Sequence, residues 1–287
     1  MDLSICIVTL NAKRVIQNCL NSIPSAVGNL RYEIIIVDNN SRDTTIALIN
    51  NHYLETTLIQ NTTNDGYTKP MNQALSLAKG KWLLQLNPDI VLSKNSLIGL
   101  MNYAINHPKV GLCEPKILHE NGEFQKSTRR GLARPQAVMS YFLGLSKLFP
   151  NDQRFTGYQL NHLDENEIHI VQGISGTCML TRRAVFDEIG YLDETFFAYQ
   201  EDSDFCIRAE NAGWEIHYNP QFTATHFTGQ GGSKSVAYLA NFEWHRSYYK
   251  YYKKHFSSDY SFLFNGFYYS LMIFKCIFAS VKIAITH

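Results

Sequence analysis

The sequence predicts an α/β fold: a mostly parallel central sheet flanked by helices, followed by an amphipathic, aromatic helical tail. Three observations carry this expectation. Apolar β-rich runs alternate with segments of helical period through the N-terminal third. The stretches between them are short, as strand–helix–strand units in one sheet require. Two of the runs end in an acid, Asp38 and Asp89, at the strand edge where such sheets bind ligands.

The elements follow in order. "LSICIVTL" reads as a strand ending at Asn11, with a helical stretch near Arg14–Ile23. "YEIIIVDNNSRD" is a second strand, ending in Asp38, Asn39 and Asn40; a helix opens near Asp43 and carries Ile46, Leu48 and Ile49. "LETTLIQN" is a shorter third strand. In "NDGYTKPMNQALSLAKG", Met71, Ala74, Leu75 and Ala78 form one apolar helical face, and Gly80 suits the C-terminal cap. "KWLLQL" is continuously apolar, as a strand covered on both faces should be. Further on, "GTCML" reads as a strand, and Arg183–Ile189 as a helix stopped by Gly190. A second helix follows Gln200, capped by Asp202 or Ser203 and closed by Gly213. "WEIHYNPQFTATHFTGQGGSKS" suggests a strand pair with His226 after its second member.

Composition bounds the function. The 287 residues are 45% hydrophobic and 18% charged, enough for one large domain with an appendage. A net charge of +1 gives no basic field, so no nucleic-acid partner is expected. The six cysteines form no C-x-x-C pair and read as buried free thiols in a reducing compartment. Asp2 is acidic and Leu3–Leu10 is too short for a secretory apolar region, which predicts a cytoplasmic catalytic part.

The chemistry-bearing residues each have two readings. Asn87-Pro88-Asp89 is good turn chemistry, or Asp89 is a divalent-metal ligand. Asp38 caps the next helix, or hydrogen-bonds a nucleotide base or ribose. Glu201, Asp202 and Asp204 form an acidic helix start favoured by the macrodipole, or a catalytic cluster. His226 is structural or functional. The loop Gly229–Ser233 is an ordinary surface loop, or one that closes over phosphates. Neither G-x-G-x-x-G nor G-x-x-x-x-G-K-[ST] occurs, so a Rossmann cofactor site or a P-loop has no support.

The segments "SICIVTLN", "EIIIVDNNSRD", "NDGYTKPMNQALSLAKGKWLLQLNPDIVL", "SGTCMLTRRAVFDEIGYLDETFFAYQEDSDFCIRAENAGW" and "ATHFTGQGGSKS", in that order, resemble inverting GT-A glycosyltransferases of family 2. Bacterial rhamnosyltransferase-like members are the nearest in pattern, over about residues 2–256. The resemblance implies a GT-A domain over 1–235, with a nucleotide-sugar half at 1–110 and an acceptor half at 111–235. Residues 236–287 would be a helical, membrane-associated segment. Thr9, Asn11 and Asp38 would line the base and ribose site, and Asn64, Gly66 and Asn72 would border the nucleotide. Asn87-Pro88-Asp89 takes the family's D-x-D place with Asn for the first acid, so Mg²⁺ or Mn²⁺ would lean on Asp89 with His226 as second ligand. Asp202 would be the base that takes the acceptor's proton. Glu201 would orient it or touch the acceptor, and Arg208 would hold the acids. The implied partners are a nucleotide-sugar donor, with dTDP-L-rhamnose favoured over a UDP-hexose, and a glycan or polyprenyl-diphosphate-linked acceptor of a bacterial surface polysaccharide.

Residues 119–168 lack strong periodicity, and Arg129, Arg130 and Arg134 there are either solvated or in contact with an acceptor or lipid phosphate. From Trp244 onward, Arg246, Lys250, Lys253 and Lys254 alternate with aromatic residues, and the apolar run Phe262–Phe278 follows. An in-plane anchor on the inner face of the cell membrane is the expectation; a helix packed on the core and a membrane span are the alternatives. Two other functions fit an α/β sheet with acidic strand ends, a nucleotidylyltransferase and a non-catalytic sugar-nucleotide or glycan binder. "VTLNAKR" is a poor triphosphate loop for the first, and the joint presence of Asp89, Asp202 and His226 speaks against the second.

Overall fold

A computed structural model describes residues 1–227 and 237–286; the Gly229–Ser233 loop lies outside them. In chain order the elements are β1 (Leu3–Thr9), α1 (Ile16–Val27), β2 (Tyr32–Asp38), α2 (Thr45–His52), β3 (Thr57–Gln60), α3 (Thr68–Leu77), β4 (Trp82–Leu86), β5 (Ile90–Leu92), α4 (Ser96–Asn106) and β6 (Val110–His119). Then come β7 (Arg129–Arg130), α5 (Pro135–Phe142), α6 (Leu145–Leu148), α7 (Gln153–Thr156), β8 (His169–Ile170), β9 (Gly173–Ile174) and β10 (Cys178–Arg182). The chain ends with α8 (Arg183–Ile189), α9 (Glu201–Asn211), β11 (Glu215–His226), α10 (Ala237–His255) and α11 (Phe262–Thr286).

The main sheet runs β3-β2-β1-β4-β10-β6-β11-β5, with β8 beside β11. β1 to β4 are parallel, and β6 pairs parallel with β11, while β10 is antiparallel to both of its neighbours. The expected mostly parallel sheet is therefore present, with β10 reversed at its centre and β5 and β8 antiparallel to β11 at its far edge. β1 and β4 are buried at every position because helices cover both faces. Ile5, Ile7, Leu84 and Leu86 pack against α1 and α4 on one side. Cys6, Val8 and Leu83 pack with Met71, Ala74, Leu75, Phe205 and Cys206 on the other. A third cluster joins Tyr248, Tyr251, Tyr252 and Phe256 of α10 to Tyr268 and Met272 of α11, and to Ala133, Phe196 and Ile207.

Three local expectations are corrected. "WEIHYNPQFTATH" is one strand, β11, rather than a pair. Its register on β6 shifts between Asn219 and Thr223, around Pro220, which has no N–H to give a ladder; a bulge absorbs the interruption without a turn. Gly80 does not cap α3, which ends at Leu77 with an extended Ala78. It is there because a Cβ would lie 2.5 Å from the Ser4 nitrogen. α9 is capped by neither Asp202 nor Ser203; Gln200 precedes it with φ 65° and no side-chain cap.

Candidate active site

Strand register assembles the site. Thr9 pairs with Asp38 at the ends of β1 and β2, and Leu86 lies level with Cys178 of the reversed strand. Asn87 therefore leaves β4 beside the start of β10, its N–H donating to the Thr177 carbonyl at 2.9 Å. After the Asn-Pro-Asp turn, Ile90 pairs with His226, so β5 brings Asp89 against the end of β11. A cavity of about 390 Å³ opens at this edge. Asn64, Gly66, Asn87, Asp89, Glu201 and Asp202 line it, among the residues singled out from sequence. Trp244, where the sequence changes character, lines it too.

The donor-side residues divide into two groups. Asp38 is fully buried and outside the lining, accepting hydrogen bonds from the Thr9 hydroxyl (2.8 Å), the Ser41 hydroxyl (2.6 Å) and the Ser41 N–H (2.8 Å). Its carboxylate shapes the turn after β2. Asn11, at φ 51°, accepts from the Arg42 N–H and holds the same turn. Asn72 also lies outside the lining; its amide joins α3 to the Leu192 backbone and to Glu194. Asn39 stands at the cavity wall instead, donating to Asn64 Oδ1 (2.6 Å) and to the Gly66 carbonyl (2.7 Å).

The acid side is set by a strained turn. Tyr199 and Gln200 both take left-handed φ, 67° and 65°, immediately before α9. Two such non-glycine residues cost on the order of 1–3 kcal/mol each and persist only where the surroundings hold them. The turn presents Glu201 and Asp202 to the cavity. Asp202 Oδ2 accepts from Arg130 Nη2 at 2.5 Å and from the Gly176 N–H at 3.1 Å, while Oδ1 accepts from the Ser203 N–H. Burial, and then the Asp202 charge, raise the Glu201 carboxyl above its usual range. Burial pushes nearby Glu114 up to about 8, so it is neutral at physiological pH. Asp202 is thus the acid of this group that holds a cationic partner.

Arg208 does hold an acid, but the acid is Asp204. Its Nε donates to Asp204 at 2.8 Å and its other nitrogens to the Ile189 and Tyr191 carbonyls, away from the cavity lining. The solvated reading of Arg129 and Arg130 fails. Arg129 is buried between Phe124 and Tyr218 and donates to three backbone carbonyls, and Arg130 lines the cavity against Asp202. Arg134 is more exposed and pairs with Asp259.

His226 lies outside the cavity lining but against Asp89, which is part of it. Nδ1 of His226 lies 2.8 Å from Gln125 Oε1, an acceptor, which favours the tautomer with its proton on Nδ1 and a lone pair on Nε2. Nε2 faces Asp89 Oδ1 at 3.1 Å, and that oxygen is buried without a hydrogen bond. Two electron-pair donors in this position need a positive charge between them, a proton or a metal. Neighbouring ligands of an octahedral cation with bonds of ~2.1 Å stand about 3 Å apart, so the donors fit. Among the described residues no cluster of three His, Cys, Asp or Glu side chains forms, so other positions would fall to donor oxygens and water.

Asn39, and the pairing of Arg130 with Asp202, are the main additions to the roles read from the sequence. Asn39 was visible at a strand end, whereas Arg130 lies 72 residues from Asp202 with no local pattern to link them.

Known proteins resemble this chain to different depths. Among solved structures, S. aureus TarS 1-349 in complex with UDP aligns at TM-score 0.54 and 20% identity, covering 85% of this chain and 65% of that one. At that identity the likeness shows the fold alone, and this chain spans less than two thirds of the TarS fragment. Among curated proteins, the N-acetylglucosaminyl-diphospho-decaprenol L-rhamnosyltransferase of Mycobacterium tuberculosis is 27% identical over 71% of this chain and 69% of its own length. Rhamnosyltransferase WbbL of Escherichia coli K12 is 26% identical over 75% and 79%. The description "Glycosyl transferase family 2" matches residues 4–190, running from β1 through the acid-tipped β4 and the reversed strand to the end of α8, and the chain belongs to that family of glycosyltransferases.

Proposed function

We propose that this glycosyltransferase moves a hexosyl or deoxyhexosyl group, with inversion, from a nucleoside-diphosphate donor to a lipid-linked glycan at a membrane surface. The observation that carries it is the shared cavity: Asp89 and Asp202, 113 residues apart by their numbers, face one space bordered by Asn39, Asn64 and Gly66. dTDP-L-rhamnose is the favoured donor, since two of the similar proteins are named rhamnosyltransferases, and a UDP-hexose is the alternative. The name of the mycobacterial relative points to a polyprenyl-diphosphate acceptor, and a bacterial surface polysaccharide is the natural product.

In this reading, Asp202 takes the proton of the attacking acceptor hydroxyl while the Arg130 guanidinium and the Gly176 N–H fix the direction of its carboxylate. Glu201, neutral because of its burial and the Asp202 charge, is free to donate a hydrogen bond to an acceptor oxygen. Asn64 and the Gly66 backbone border the donor. A divalent cation on Asp89 and His226 would neutralise charge gathering on the departing diphosphate. The test is thermal unfolding with a panel of nucleotide sugars, with and without Mn²⁺. Wild-type protein should gain a higher midpoint with one donor, and the gain should depend on Mn²⁺ and vanish in Asp89→Ala. A donor-independent midpoint across the panel would sink the reading.

A further inference from the structure

The helical hairpin at the C-terminus touches the cavity from one side and solvent from the other. α10 supplies Leu239, Glu243 and Trp244 to the cavity wall. Asn241 of the same helix donates to Ser280 Oγ at 3.0 Å, so the second half of α11 runs beside the cavity-lining turns of α10. That half is apolar outward: Phe274, Ile277 and Phe278 are 67%, 57% and 66% exposed. Two lysines interrupt it, Lys275 and Lys282, and Lys275 lies against Trp244 of the cavity wall. Lys275 Nζ lies 3.2 Å from the centre of the Phe142 ring and 4.1 Å from that of Trp244. Among the described residues it meets no carboxylate, while Lys254 and Arg246 on α10 both do.

We infer that Lys275, held between Phe142 and Trp244, receives the diphosphate of a polyprenyl-diphosphate-linked acceptor whose hydrocarbon lies along the exposed face of α11 and whose sugar enters the cavity. The inference rests on the lipid-linked acceptor proposed above and assigns its subsite. Three features fit this one ligand: a sugar-sized cavity, a cation at its edge and an apolar track beyond, in the order in which such a molecule carries sugar, phosphate and chain. Burial against the rings pushes the ammonium down to about 8, so it is still mostly charged at physiological pH, and an arriving dianion would hold that charge more firmly.

The experiment titrates the full chain in micelles with farnesyl diphosphate, farnesol and inorganic diphosphate. Wild type should bind farnesyl diphosphate more tightly than either part. Lys275→Met keeps the stem on the rings and should weaken farnesyl diphosphate about tenfold or more, leaving farnesol unchanged. Lys275→Arg, which keeps charge and ring stacking, should retain the binding and shows that the site still folds. Equal binding by wild type and Lys275→Met overturns the inference. So does a parallel loss of farnesol binding, which would make the side chain a packing element. Displacement of farnesyl diphosphate by phosphatidylglycerol vesicles from wild type alone would assign the cation to bilayer headgroups and also overturn it. Nucleoside diphosphate binding to the wild-type chain, measured alongside, shows separately whether the glycosyl-transfer reading stands.

Discussion

At the scale of single residues, Asp202 and Gly66 make opposite kinds of contribution. As the proposed base, Asp202 would act at the reacting atoms, so Asp202→Asn should lower kcat about 10²–10⁴-fold while the donor KM stays within a few-fold, read in steady-state assays of nucleoside diphosphate release with acceptor present. Gly66 acts through space: its φ is 85°, and a Cβ would stand 2.1 Å from the Phe197 carbonyl oxygen, a backbone atom that cannot swing aside. The Tyr67 N–H donates to the same oxygen at 2.7 Å, locking the donor loop onto the turn that carries Tyr199 and Gln200. Gly66→Ala should therefore lower the thermal midpoint and weaken donor binding together, about tenfold for the latter if ~1.4 kcal/mol of loop strain reaches the bound state. Unchanged donor affinity with an unchanged midpoint would contradict that coupling. Gly66 and Asp202 were legible through the order of segments shared with the family, since the acidic helix start alone left Asp202 open between a macrodipole and a catalytic role. Arg130 was not, since its meaning comes from a partner that only the fold brings near.

At the scale of elements, α9 is held by what its acids do on their hidden side. Asp204 is wholly buried and binds Arg208 of its own helix (2.8 Å) together with Lys254 (2.6 Å) and His255 (2.7 Å) of α10. Burial alone would raise this carboxyl; the hydrogen bonds from His255, Lys254 and Arg208 outweigh it and bring it down to about 2. A depressed acid stabilises the fold above its unfolded value near 4, and that contribution disappears as pH falls through about 2. The difference in unfolding free energy between wild type and Asp204→Asn should be on the order of 2 kcal/mol at pH 6 and should shrink between pH 4 and 2, as followed by urea titration. A difference independent of pH would mean that packing, not charge, joins α9 to α10. The periodicity of α3, α8 and α9 could be read from the sequence because each presents an apolar face at helical spacing. β11 could not be read as one strand, because Pro220 mimics a turn and only pairing with β6 shows the chain continuing past it.

At the scale of the whole molecule, the outward face of α11 is where the proposed membrane contact would form. Phe262, Leu263, Phe274, Phe278 and Ile285 are each more than 60% exposed, and only 11% of the most apolar window of this helix is buried. Its length and composition would suffice for a span. Its contacts point elsewhere: Tyr268 and Met272 are buried in the third core, Asn265 accepts from the Tyr252 hydroxyl, and Asn241 grips Ser280, so the inner face of α11 is held against α10 along most of its length. A helix bound to the protein on one side and apolar on the other suits the plane of a bilayer, with the cavity beside it. The sequence allowed three placements for this tail because hydropathy alone does not say which face is covered. Burying four such side chains to half depth contributes on the order of 4 kcal/mol, enough to concentrate the enzyme on membranes without fixing it there. The protein should therefore remain on membranes in high salt, leave them in alkaline carbonate, and move to the soluble fraction when Phe274→Glu and Phe278→Glu are combined. Retention through carbonate would show that α11 crosses the bilayer, which would require it to detach from α10 and open one wall of the cavity.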